Sequence, residues 1–298
     1  MSILIEVLLL QVENRISQAK KGATLSIITY TILTLLKVTY GWLADSRGLT
    51  ADGINNATDV ISSIAILIAL HISMKPVDKN HPYGHYRSEF IASLIASFIM
   101  FAVSIQVIIT GVKHFYQGQF HQPSQSALIV GVISSFLMFA VFLYNRNLAK
   151  KVKSNALKAA SYDNLSDALV SIGTVIGILG VYIGIPMLDT LAAIVIGLLI
   201  MKTSIDIFKE TAITLTDGYD VDELEHIEQI ISSIPGVKEI RDIKARSHGV
   251  MSFIDVTIAV EPELNVVESH QISDHIETKL QQQLGEVETI VHIEPYLY

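Results

Sequence analysis

The sequence predicts an α-helical membrane domain of six transmembrane helices followed by a small α+β domain. Three observations predict it. Half of the 298 residues are hydrophobic and only 17% are charged, with a mean hydropathy of +0.47, the composition of a membrane protein. Six apolar stretches each approach the roughly 20 residues a bilayer requires. Asp and Glu crowd the last third, from Asp217 onward, while the earlier part is apolar with islands of Lys and Arg. That asymmetry divides the chain into residues 1–209 and an acidic, soluble segment over 210–298.

The elements follow in order. Met1 to Val12 is apolar but contains Glu6, and it lacks the basic start and small-residue cleavage site of a signal peptide. It reads as an amphipathic helix on the membrane or against a neighbour. The spans are expected over 23–44, 50–74, 89–114, 126–146, 156–182 and 187–208. Arg15, Lys20 and Lys21 precede the first span; Lys75, Lys79 and Arg87 fill the second connection; Arg146, Lys150, Lys151 and Lys153 fill the fourth. The intervening connections are poor in Lys and Arg. Basic connections face the cytoplasm, so both termini are expected there.

Beyond Lys209 the periodicity changes. Asp220 to Ile234 carries an apolar stripe of Leu224, Ile227, Ile230 and Ile231, and Pro235-Gly236 ends it. Val237 to Ser247 and Met251 to Val260 alternate as strands. Asn265 caps a helix to Leu284, Gly285 stops it, and Thr289 to Ile293 is a last strand. Helix, strand, strand, helix, strand makes a small α+β sandwich.

Two of the spans carry conspicuous polar stripes. Asn55 and Asp59 on the second, and Asp163 and Asp167 on the fifth, are each four residues apart, on one helix face. An aspartate at the bilayer centre costs about 2.5–3.5 kcal/mol, so Asp59, Asp163 and Asp167 would together cost on the order of 8–10 kcal/mol. A divalent cation held between the two helices offsets that cost. Carboxylate and amide oxygens are hard donors, suited to Mn²⁺, Mg²⁺ or Ca²⁺, and Mn²⁺ accepts an oxygen-rich shell more readily than Mg²⁺ sheds its water. Asn56, Asn164 and Ser166 read as interhelical hydrogen-bonding groups. The chain has no cysteine, which excludes disulfides and thiolate sites. No glycine-rich phosphate loop or nucleophile–base pair points to an enzyme, and the acidic tail argues against nucleic acid.

At these residues the chain resembles the cation diffusion facilitator family of proton-coupled divalent-cation exporters. The resemblance extends to the loop Asp78-Lys79-Asn80-His81-Pro82-Tyr83-Gly84-His85 and to the tail. It implies a ferredoxin-like cytoplasmic domain, a homodimer and a cell-membrane location. The zinc branch of that family places a His on the fifth span, whereas Asn55, Asp59, Asp163 and Asp167 resemble the manganese branch. The resemblance implies a second metal site at Asp78, His81 and His85. In the tail, His270, His292 and Glu294 resemble ligand positions, two others read Lys238 and Thr257, and His248 and Asp255 are substitutes. The reading is a Mn²⁺:proton antiporter, with a Zn²⁺ or Fe²⁺ exporter and a passive channel as alternatives. No cofactor is implied: the metal is the transported substrate, with a structural divalent ion as an addition.

Overall fold

The computed structural model describes residues 2–43, 47–117, 125–185, 187–249 and 251–297. Within these, the side chains of 2–13, 41, 47–52, 55, 58, 114, 125–127, 174, 177–178, 181–182, 188–190 and 192–193 lie outside the description. The chain divides into two compact units, Ile16–Thr211 and Met1–Arg15 with Ala212–Tyr298.

The larger unit is helical. Its elements are α1 (Ser2–Leu43, from Ile16 onward), α2 (Arg47–Ser73), α3 (Ser88–Gln117), α4 (Gln125–Val152), α5 (Asn155–Tyr182) and α6 (Met187–Leu215). Met1 to Val12, expected as an amphipathic helix on the membrane or against a neighbour, is helical from Ser2 onward. The segment is the start of one helix, because between Ser2 and Lys21 nothing breaks it: Arg15, Lys20 and Lys21 are themselves good helix formers. α4 and α6 likewise outrun the expected ends at 146 and 208. The basic run of α4 stays helical until Lys153 turns to a φ of 52°. By length and composition, three described segments are long and apolar enough to cross a membrane: Asn14–Tyr40, Ser88–Gln117 and Leu128–Val152.

Packing brings α5 to the middle of this unit, where it touches α2, α3 and α4. Glycines let backbones approach. A Cβ on Gly53 of α2 would lie 2.9 Å from the Val38 backbone nitrogen of α1, and one on Gly22 of α1 would lie 2.7 Å from Leu157 of α5. The N-terminus of α5 is closed by a residue of α3. Glu89, buried, accepts from the Ser154 hydroxyl and from the Ala156 amide at 3.2 Å. A carboxylate there satisfies orphan N–H groups and complements the helix dipole.

In the other unit, Asp220 caps α7 (Val221–Ser232) by accepting from the Glu223 amide at 3.0 Å. β1 (Glu239–His248) and β2 (Met251–Val260) are antiparallel, with a register shift between Ile240 and Asp242. α8 (Val266–Leu284) starts from a capping box of Asn265 and Glu268 and ends at Gly285, whose φ of 85° suits glycine. β3 (Val287–Pro295) then pairs parallel to β2, giving the order β1-β2-β3. Ile254, Val256, Ile258 and Val260 of the central strand meet Ile227, Ile230 and Ile231 of α7 and Ile276 and Leu280 of α8 in one core. Arg15 of α1 belongs to this unit and reaches the buried Glu286 at 2.7 Å.

Candidate metal centres

The polar stripes of α2 and α5 face each other. One carboxylate oxygen from each of Asp59, Asp163 and Asp167 lies within 4.8 Å of the others. Asp59 is 7% exposed. Its neighbour one turn earlier, Asn56, donates to Asp59 Oδ2 at 3.2 Å. Helical spacing explains the convergence: Asp163 and Asp167 are stacked on one face of α5, and α5 lies against α2. The side chain of Asn55 is outside the described residues.

A third helix contributes a group that composition did not flag. Tyr30 of α1 donates its hydroxyl to Asp167 Oδ2 and lies 3.5 Å from Asp163 Oδ2. The Asn164 amide donates to the Tyr30 oxygen at 3.1 Å. Asn164 Oδ1 in turn accepts from the Ser26 hydroxyl at 3.1 Å and from Asn145 of α4 at 3.0 Å, and Asn145 also donates to Ser26 at 2.8 Å. All four of these groups are buried. Asn164, expected to join helices, does so as the hub of this network. Tyr30 and Ser26 are four residues apart in an apolar span, a polar pair at helical spacing that was the available signal for them.

Chemically, the three aspartates offer six hard oxygens and up to three negative charges in a space suited to one ion. Removed from water, such charges repel strongly, and a divalent cation or protons relieve the repulsion. Hard ions such as Mn²⁺, Mg²⁺ and Ca²⁺ fit the donor set.

The second cluster is local. Asp78, His81 and His85 each present a ligand atom within 4.8 Å of the other two. Asp78 Oδ1 accepts from the backbone amides of Asn80 and His81, both at 2.8 Å, an Asx turn that fixes the carboxylate. His81 Nδ1 lies 3.0 Å from the same oxygen, and His85 Nε2 lies 3.5 Å from Asp78 Oδ2. The rings of His81 and His85 are 4.0 Å apart. The side-chain bond from His81 holds the Asp78 carboxyl below its ordinary value. Two imidazoles and a carboxylate make a borderline donor set, open to zinc as well as to manganese.

The tail candidates are not gathered within one chain. His248, Asp255, His292 and Glu294 share the sheet face turned from the helices, by the strand register. His248 is buried with its ring against Phe253, centroids 4.7 Å apart. Asp255 lies 3.9 Å from Arg246, and Glu294 lies 3.4 Å from Arg241 and 3.8 Å from His292. His270 stands on exposed α8 beside Asp274 at 3.6 Å. Among the described residues, the clusters with three converging ligand atoms are the interhelical and loop trios alone.

Comparison with known proteins bears on both units. Residues 23–216 match the cation efflux transmembrane domain, and residues 219–296 match the cytoplasmic domain of cation efflux proteins. The chain is 45% identical over 282 residues to the manganese efflux system protein MneS of Bacillus subtilis (strain 168), covering 95% of this chain and 97% of that protein. The uncharacterized transporter YdbO of the same organism is 42% identical over the same extent. The manganese efflux system protein MneP, also from B. subtilis, is 31% identical over 287 residues, 93% of this chain and 96% of the relative. The transmembrane-domain match alone covers more than half of the chain. The family reached from the residues is thus the family found by comparison: the chain belongs to the cation efflux, or cation diffusion facilitator, family and is a membrane transporter, not an enzyme.

Proposed function

We propose that this protein exports Mn²⁺ from the cytoplasm in exchange for protons. The observation that carries the reading is the convergence of Asp59, Asp163 and Asp167 from two packed helices onto one point, with Asp59 buried and the other two partly buried. The identity to MneS supports the choice of metal, as does the all-oxygen donor set. In this reading α1 to α6 all cross the cell membrane, with both termini cytoplasmic by the basic connections. The tail, as a ferredoxin-like domain over 210–298, joins two copies into a homodimer.

The mechanism follows from the charges. Facing the cytoplasm, the deprotonated aspartates strip a hydrated Mn²⁺ of part of its water, and Asn55 adds a neutral oxygen. Rocking of the helices then exposes the site to the other side. There, protons compete for the carboxylates, because crowded like charges raise the proton affinity of at least one. The metal leaves and the protonated form returns. The Asp78–His81–His85 trio serves as a second divalent site near the inner membrane surface.

Purified protein in proteoliposomes tests this, with each metal offered alone and the pH gradient varied. Mn²⁺ flux that follows the gradient, and exceeds Zn²⁺ and Fe²⁺ flux, is expected. Equal flux with the gradient collapsed would mean a passive channel, and a preference for Zn²⁺ or Fe²⁺ would overturn the choice of metal.

A further inference from the structure

Resting on the transport site just described, we propose that Tyr30 is a positioning residue of that site, a third-helix contribution that sets its affinity for metal. Its hydroxyl is bonded to Asp167 and lies 3.5 Å from Asp163, so one group addresses both carboxylates of α5. Each carboxylate has two oxygens. One can meet an ion while the other keeps its bond to the phenol.

Tyr30 is built to stay where it is. The residue is fully buried, and its ring packs with Leu33 of α1, Met138 of α4 and Ala168 of α5, with Val60 of α2 alongside. The hydroxyl is held from its other side by Asn164, and Asn164 is held by Ser26 and Asn145. The phenol O–H is therefore a fixed donor, aimed by groups from α1, α4 and α5. Ligating carboxylates whose outer oxygens are held this way are pre-oriented for the metal, and loss of such a partner costs about 10- to 100-fold in metal affinity. A hydroxyl is also the right chemistry for a site that is emptied in every cycle. It donates a neutral hydrogen bond to the crowded aspartates without adding a positive charge that would repel the incoming cation.

The experiment is Tyr30→Phe in proteoliposomes, which keeps the ring and its packing and removes only the hydroxyl. Mn²⁺ concentration dependence is measured for wild type, Tyr30→Phe and Asp163→Ala, with folding checked by the thermal midpoint. The KM of Tyr30→Phe for Mn²⁺ is expected to rise by about 10- to 100-fold, with the maximal rate kept within about threefold. A purely structural role would instead lower the midpoint and the yield of active protein and leave KM alone. A KM within about twofold of wild type in the folded variant overturns the proposal. If Tyr30→Phe does not fold, Asn164→Ala decides, since it frees the hydroxyl without touching the ring: a raised KM supports the assignment and an unchanged one overturns it. Asp163→Ala separates the two levels. Should it transport like wild type, the transport site itself is wrong. Should it be inactive while Tyr30→Phe is normal, only the role of Tyr30 falls.

Discussion

The two metal-competent clusters of this protein contain three ligand groups each within the same 4.8 Å, yet they are held together by opposite means. The loop trio is assembled by eight consecutive residues. An Asx turn clamps Asp78, and both histidines come to it from the same turn. Asp78 and His81 are about half exposed, so water screens whatever charge they carry. The interhelical trio is assembled by residues over a hundred positions apart, on α2 and α5. Its members are all acidic, and the groups that donate to them include the neutral Asn56 and Tyr30. Such an arrangement has little to offer stability. Under the proposed function it is accounted for by what it binds, whereas the loop can be explained by its turn alone. A buried cluster of like charges is therefore the stronger functional signal, and the difference is one of desolvation rather than of geometry.

The sharpest way to break that comparison is to remove one member of each cluster. Asp59→Ala and Asp163→Ala are expected to abolish Mn²⁺ transport in proteoliposomes. His85→Ala is expected to leave at least about a tenth of it, because a loop site can at most feed or tune the membrane site. Wild-type rates in either aspartate variant, or complete loss in the histidine variant, would reverse the assignment.

How much of this was legible in the sequence depended on whether a feature was local. Asp59, Asp163 and Asp167 stood out because charges in apolar stretches are costly wherever the helices pack. The Asn265 cap and the Gly285 stop are local chemistry and lie at the two ends of α8, where the structure adds Glu268 to the cap, and it adds Asp220 as the cap of α7. Tyr30 had only its spacing from Ser26 to mark it, and a tyrosine in an apolar span reads as core until a partner appears on another helix. Asn145, on the helix before that of Asn164, has the same problem. The helix ends at α4 and α6 ran long because charge does not stop a helix, whereas a positive φ at Lys153 and at Asp217 does. In the tail, the resemblance named the candidates, and only the strand register put His248, Asp255, His292 and Glu294 on one face. The sequence did not reveal that Arg246 and Arg241 stand beside Asp255 and Glu294.

A second substitution sharpens the chemical side. Asp163→His gives the membrane site an imidazole, a donor that favours Zn²⁺ over Mn²⁺. The ratio of Zn²⁺ to Mn²⁺ transport is expected to rise by about tenfold, equivalent to about 1.4 kcal/mol of differential binding. An unchanged ratio, in a variant that still transports, would mean that selectivity lies elsewhere than in these donors.

Glu89 supplies the control for the whole comparison, because it is a third kind of acidic group: buried like Asp59, yet placed at a helix N-terminus with no second carboxylate in its cluster among the described residues. Its carboxylate takes the Ser154 hydroxyl and the Ala156 amide at the start of α5, where the helix dipole favours negative charge. Here burial points to structure rather than to transport. Glu89→Ala leaves those donors without their acceptor and is expected to destabilise the protein by about 1–3 kcal/mol. The thermal midpoint in detergent should fall while the KM for Mn²⁺ in the folded fraction stays unchanged. Asp163→Ala should do the reverse, holding or raising the midpoint in metal-free buffer, since it relieves repulsion within the trio. Equal losses of stability in both variants would show that the aspartates, too, are held for the sake of the fold, and the distinction between a satisfied carboxylate and a crowded one would lose its meaning here.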